Sequence, residues 1–191
     1  YSYTIISNAE VNVDITGTDY LGGVVGYIYN EAYISNSNNY KSYSKIYKSI
    51  VNCNIKGNQN VGGIVGYDDE CRYCYSDIYE NYVNGFIQAN NNVGGILGYS
   101  YLGASDSSIE NNYFAGCLIG NQYVGGICGS GALSGAVVRY NYSNASISGS
   151  SYVGGIIGHA GICSVTSNVA INETISGSSK VGRIYGSKES D

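Results

Sequence analysis

Apolar and small residues recur along this chain at one spacing, repeated six times. An apolar residue is followed two positions later by a small one and six positions later by a glycine-rich block. The copies are Ile15, Gly17 and LGGVVG (21–26); Ile55, Gly57 and VGGIVG (61–66); Ile87, Ala89 and VGGILG (93–98); Leu118, Gly120 and VGGICG (124–129); Ile147, Gly149 and VGGIIG (153–158); and Ile175, Gly177 and VGRIYG (181–186). The unit reads I-x-G-x-x-x-V-G-G-I-x-G and occupies 15–26, 55–66, 87–98, 118–129, 147–158 and 175–186. Six copies mark a repeat protein, and residues 1–191 read as a single repeat domain. Successive motifs are 40, 32, 31, 29 and 28 residues apart. A constant motif at variable spacing places the extra residues in loops on one face.

A further apolar position lies nine residues before the first motif residue in five copies: Ile6, Ile46, Ile78, Ile109 and Val138; in the sixth it is Val165. Each unit thus carries three short apolar stretches, rich in Val, Ile and Tyr and bounded by Gly, Asn and Ser. That is strand and turn chemistry, and no segment holds a helical period for three turns. The pattern predicts an all-β, parallel β-solenoid (β-helix), right-handed, of six coils of about 30 residues, three strands per coil. At about 4.8 Å per coil the rod is roughly 25–30 Å long. Equivalent residues should stack in rows: Ile15, Ile55, Ile87, Leu118, Ile147, Ile175; then Leu21, Val61, Val93, Val124, Val153, Val181; then Val24, Ile64, Ile96, Ile127, Ile156, Ile184. Strict alternation cannot point both the Val61 and the Ile64 rows inward from one straight strand, so a bend is expected at the glycine pair. The pair should serve either positive φ or close approach of neighbouring coils. Arg183, which replaces the second glycine of the last copy, is expected to face outward. Polar rows flank the motif: Tyr27, Tyr67, Tyr99, Ser130, His159, Ser187 after it, and Tyr20, Asn60, Asn92, Tyr123, Tyr152, Lys180 before it. Residues 27–50 are the least repetitive stretch, expected to form either a β-arch or a mobile loop.

These blocks resemble the GLUG repeat, named for its Gly-hydrophobic-Gly core, and the resemblance runs from about residue 6 to 187. GLUG repeats occur in bacterial cell-surface proteins and adhesins and in non-catalytic regions of immunoglobulin A-cleaving metallopeptidases, and similar repeats occur in surface proteins of some protists. The resemblance implies a structural motif without catalytic residues of its own.

Composition narrows the classes. Charged residues are 12% of the chain and the formal charge is −5, which lacks the basic stripe that nucleic acid requires. No apolar run approaches 18 residues, so no membrane insertion is expected. The chain has no Met and no recognisable leader, which reads as a processed or excised piece of a secreted or cell-surface protein. Six cysteines suit that setting.

Candidate chemistry is sparse. His159, the sole histidine, replaces Tyr or Ser in a repeat row and reads as structural. The run GSGALSG (129–135) lacks the following helix of a phosphate loop. In YDDECRYC, Cys71 and Cys74 could bind metal, with Asp68, Asp69 and Glu70 suited to Ca²⁺. Without a second ligand pair the preferred reading is a small exposed loop pinned by a disulfide, or two surface thiols. Cys128 takes the place of Val65 and reads as core; Cys53, Cys117 and Cys163 share no row. Asn141, Asn144 and Asn172 begin glycosylation sequons. Asp14, Asp19, Glu80, Glu110 and Glu173 fall in different repeat phases, which weakens a carbohydrate-cleaving site. No catalytic, cofactor or metal site is expected.

The function expected is a non-enzymatic structural or adhesive module, possible as a filament subunit, with other copies or adjacent repeat domains as partners. The alternatives are a glycan-binding module, with Tyr27, Tyr67 and Tyr99 facing glycans or host-surface proteins, and a polysaccharide-cleaving β-helix enzyme. An ice-binding face ranks last, because the rows are irregular Tyr and Asn.

Overall fold

A computed structural model describes residues 2–31, 34–35, 38–39, 41–71, 73–101, 107–131 and 135–189. The chain is an all-β parallel solenoid. The predicted rows are in register: Ile15 pairs with Ile55, Ile55 with Ile87, Ile87 with Leu118, and so on to Ile175. Leu21 to Val181 and Ile6 to Val165 align in the same way.

Four parallel sheets line the coil, one more than predicted. In the second coil, sheet I contributes Ser42–Tyr47, sheet II Ile50–Lys56, sheet III Gln59–Gly62 and sheet IV Val65–Glu70. Each sheet stacks the corresponding strands from Ser2–Ser7, Glu10–Thr16, Asp19–Gly22 and Val25–Asn30 at one end to Ser164–Thr166, Val169–Ala170 with Ile175–Ser176, Ser179–Gly182 and Tyr185–Lys188 at the other. The extra sheet arises because the glycine-rich block is two strands. The chain bends at 63–64, so Val61, Ile64 and Val65 are all fully buried. The bend expected from the conflict of alternation is therefore the corner between sheets III and IV.

Positive φ falls elsewhere than on the glycine pair. It belongs to the residue before the block: Tyr20, Asn60, Asn92, Tyr123, Tyr152 and Lys180, at φ of 53 to 59°. A second left-handed row, Asn8, Lys48, Glu80, Asn111, Tyr140 and Ser167, turns the chain from sheet I to sheet II. The glycines answer to close approach instead. A Cβ on Gly63 would lie 2.6 Å from Val83 Cγ1 and closer still to the Gly95 carbonyl, and one on Gly98 would lie 2.5 Å from the Gly66 carbonyl. The Gly63 position thus points into the coil, toward the inner face of sheet II. Arg183, which takes this row on the last coil, is exposed, as expected, and its head still reaches back to the chain. Its guanidinium donates to the carbonyls of Ala170 at 3.2 Å and Asn172 at 3.4 Å, bridging the last coil toward sheet II.

The interior holds Ile, Val, Leu, Phe114 and Cys128, each fully buried side chain contributing roughly 1.5–3 kcal/mol. Parts of the interior are polar. At the corner between sheets I and II, Asn81, Asn112, Asn141 and Asn168 stack; the side-chain oxygens of the last three each take hydrogen bonds from the side-chain and backbone nitrogens of the preceding member, and that of Asn81 accepts from the Ser49 backbone N–H. The remaining amide hydrogens bind main-chain oxygens, Asn112 Nδ2 donating to Ile78 O at 2.8 Å. A buried amide needs this complete satisfaction. Of the irregular stretch 27–50, Val25–Asn30 and Ser42–Tyr47 are ordinary coil strands. Ile34–Ser35 pairs antiparallel with Asn38–Asn39, while 32–33, 36–37 and 40 lie outside the described residues.

Candidate functional site

Row stacking sets what the surface offers. Coil spacing is close to ring-stacking distance, so tyrosines at one repeat position lie on each other. Tyr27, Tyr67 and Tyr99 stack with centroids 5.3 Å apart at both steps and planes within 22° and 13°. Tyr82, Tyr113 and Tyr142 form a second column at 5.0 and 4.9 Å. Between such rings the faces are occupied by neighbouring tyrosines, and edges and hydroxyls are what the column presents. Tyr27 donates its hydroxyl to Asp69 Oδ2 at 2.9 Å. Burial against its neighbours, then Asp69, pushes Tyr27 up to about 12, and burial does the same for Tyr67, so both stay neutral across the physiological range. His159 continues the row beyond Ser130. It packs on Tyr123 and Tyr152, with Nδ1 2.7 Å from Ser187 Oγ and Nε2 3.6 Å from Glu189.

The sequons separate by face. Asn141 belongs to the interior ladder and is 1% exposed, and Asn172 is 3% exposed with Nδ2 bound to Ser143 Oγ and Ala145 O. Neither amide nitrogen is open to modification in the folded coil, which corrects the expectation for both. Asn144 is exposed on the outer face of sheet II.

Cys71 and Cys74 are joined in a disulfide at the corner between the second and third coils. The expected exposed loop is corrected in one respect: Cys74 is fully buried and opens the strand Cys74–Tyr79. Cys128 is in the core; burial raises its thiol far above the ordinary range and raises Cys53 and Cys163 to about 11. Among the described residues, no three His, Cys, Asp or Glu side chains gather where they could hold a metal ion.

Beside this disulfide lies a polar interior that the sequence reading missed. Asp68 and Glu70 alternate inward from Val65–Glu70 and are 1% and 2% exposed. Ser76 Oγ donates to Asp68 Oδ1 at 3.1 Å and Ser107 Oγ to Glu70 Oε2 at 2.7 Å. Asn30 stacks on Glu70, donates to Ser76 Oγ at 3.3 Å, and accepts from Ser42 and Ser44. Asp68 Oδ2, Glu70 Oε1 and Ser100 Oγ are buried without a hydrogen-bond partner. Burial pushes Asp68 up to about 7 and Glu70 up to about 9; the charge of Asp69 raises Asp68 further and that of Asp68 raises Glu70 further, while the serine hydrogen bonds act the other way. A signal existed: Asp68 shares its repeat position with inward-facing Ile28, and alternation carried past outward Tyr67 turns Asp68 inward. Comparison with family models, curated proteins and solved structures gives no match.

Proposed function

We propose that this chain is a non-enzymatic structural or adhesive module of a secreted or cell-surface protein, of the kind GLUG repeats form, whose end coils stack on further β-coils. The fold itself is a structural β-solenoid. The observation that carries the reading is the contrast between end and inner coils. Val153 is fully buried, whereas its row-mate Val181 on the last coil is 42% exposed, and the core rows of the first coil, Val11, Val13, Ile15 and Leu21, are only partly covered. The outermost strands of all four sheets are parallel edges, which template further strands. The partner coils are a second copy or neighbouring repeats of a longer chain, and head-to-tail stacking of copies gives filaments.

Against an enzyme stands the placement of Asp68 and Glu70, both buried inside the coil. Against flat stacking of sugars on Tyr27, Tyr67 and Tyr99 stands the mutual stacking of those rings; a glycan would meet hydroxyl edges. Among the described residues no helix is long and apolar enough to cross a membrane. The test is light scattering and electron microscopy of the purified chain beside a Val13→Lys, Leu21→Lys variant. Concentration-dependent, elongated assemblies that the variant loses support end-to-end stacking of copies. A wild-type chain that stays monomeric at high concentration refutes it.

A further inference from the structure

Two carboxyl groups two residues apart on one strand, both facing the interior of a solenoid, are costly unless something neutralises them. Asp68 and Glu70 each keep one oxygen bonded to a serine hydroxyl, and each leaves the other oxygen, Oδ2 and Oε1, without a donor. A third unpartnered group lies on the neighbouring strand. Ser100 pairs in register with Asp68 on the adjacent strand, is fully buried, and its hydroxyl has no partner. The nearby basic side chain of Lys45 is engaged on the outer face of sheet I, 3.0 Å from Asp77, so it does not neutralise the pair.

We propose that Asp68 and Glu70, with the hydroxyls of Ser76, Ser100 and Ser107, form a buried binding site for a calcium-type divalent cation. Two carboxylates match its charge, and one ion satisfies all three unpartnered groups. The donors are oxygens only, since Cys74 is in the disulfide, and an oxygen set disfavours zinc. Calcium accepts carboxylates and neutral oxygens in irregular geometry with six to eight ligands, whereas magnesium demands a near-ideal octahedron and keeps several waters. The disulfide fixes the corner at which Glu70 leaves sheet IV and Ser76 enters sheet I, so the ligands from successive coils hold their spacing. A recess of about 220 Å³ at the first coil is lined by Asn30 and Ser44, the row-mates of Glu70 and Ser76. The site is independent of whether the ends of the solenoid stack.

The test uses the intact chain dialysed against chelator and then against calcium chloride or magnesium chloride at about pH 8, where carboxylates outside the fold are ionised. Metal content and thermal midpoint are read together. About one tightly held calcium per chain and a midpoint that climbs with calcium concentration are expected. Asp68→Asn with Glu70→Gln, which keeps shape and removes charge, should abolish both, while Glu10→Gln with Asp14→Asn on the outer face should change neither. Wild-type chain that holds no calcium and shows no shift overturns the proposal, as does a response to magnesium alone. So does a calcium shift that persists in the Asp68→Asn, Glu70→Gln variant. If that variant fails to fold, the wild-type metal content and titration decide.

Discussion

Replacing Asn112 by alanine should remove about 3–5 kcal/mol of stability, a large share of the roughly 5–15 kcal/mol that holds an ordinary domain together. Four hydrogen bonds depend on this side chain. Its Oδ1 accepts from Asn81 N at 3.1 Å and Asn81 Nδ2 at 3.0 Å, and its Nδ2 donates to Ile78 O at 2.8 Å and Asn141 Oδ1 at 3.0 Å. Two partners keep a second bond after truncation: Asn81 Nδ2 still reaches Ile46 O, and Asn141 Oδ1 still receives the Asn112 backbone N–H. The Asn81 backbone N–H loses its side-chain acceptor inside the coil, at about 1–3 kcal/mol, and the other three losses are worth about 0.5–1.5 kcal/mol each. These terms are not additive, which places the expectation in the lower half of their sum. The assay is urea unfolding followed by circular dichroism, with the midpoint compared at equal slope. Asn52→Ala is the control. Asn52 donates to Asn12 Oδ1 at 2.9 Å in a ladder of the same chemistry, but on the exposed face of sheet II, and its loss should stay within about 0.5 kcal/mol. An Asn112→Ala change below about 1 kcal/mol, or one equal to that of Asn52→Ala, would refute the argument that burial gives the ladder its value.

Gly95→Ala should prevent folding of the central coils, because its Cβ would meet Phe114 Cγ and the Gly126 carbonyl at less than contact distance; soluble yield and far-ultraviolet dichroism read it out, and a soluble, native-like variant would contradict the close-approach account. Metal-free chain should lose stability as pH rises. Asp68 and Glu70 have folded pKa values above their ordinary 3.8 and 4.5, so the folded state binds more protons, and their contribution is whole below about pH 4 and declines up to about 7 and about 9 respectively. The other ionisable groups bearing on the pair are Asp69 and Asp77, whose negative charge acts in the same direction. Chelator-treated wild type that is as stable at pH 9 as at pH 5 would contradict this, and the Asp68→Asn, Glu70→Gln variant should flatten the profile.

What could be read from residues alone was what recurs. The Ile15, Leu21 and Val24 rows repeat in every coil, so register followed from counting, and the conflict between the Val61 and Ile64 rows announced a bend before its place was known. The number of sheets was not legible, because a two-residue corner at 63–64 leaves the apolar run VGGIVG looking continuous. The asparagine ladder was hidden for a different reason. Its row begins Ala9, Ser49, so the repeat is incomplete, and Asn is also common on the outside of this chain, as Asn52 and Asn144 illustrate.

The acidic corner was least legible, and the cause is physical. A repeat is averaged over coils, and averaging keeps the positions that stacking constrains in all of them. Ile28, Asp68, Ser100 and Gly131 occupy one row, and no residue type is shared between any two of them. Stability alone would favour an apolar residue at each, as Ile28 provides. An ionisable side chain at the second position, with another at Glu70, goes against the burial that builds the rest of the coil, and the serines gathered around them compensate only in part. In a solenoid, then, the rows that repeat describe the scaffold, and a buried row that breaks the repeat with unsatisfied polar atoms is where a function separate from folding is to be sought.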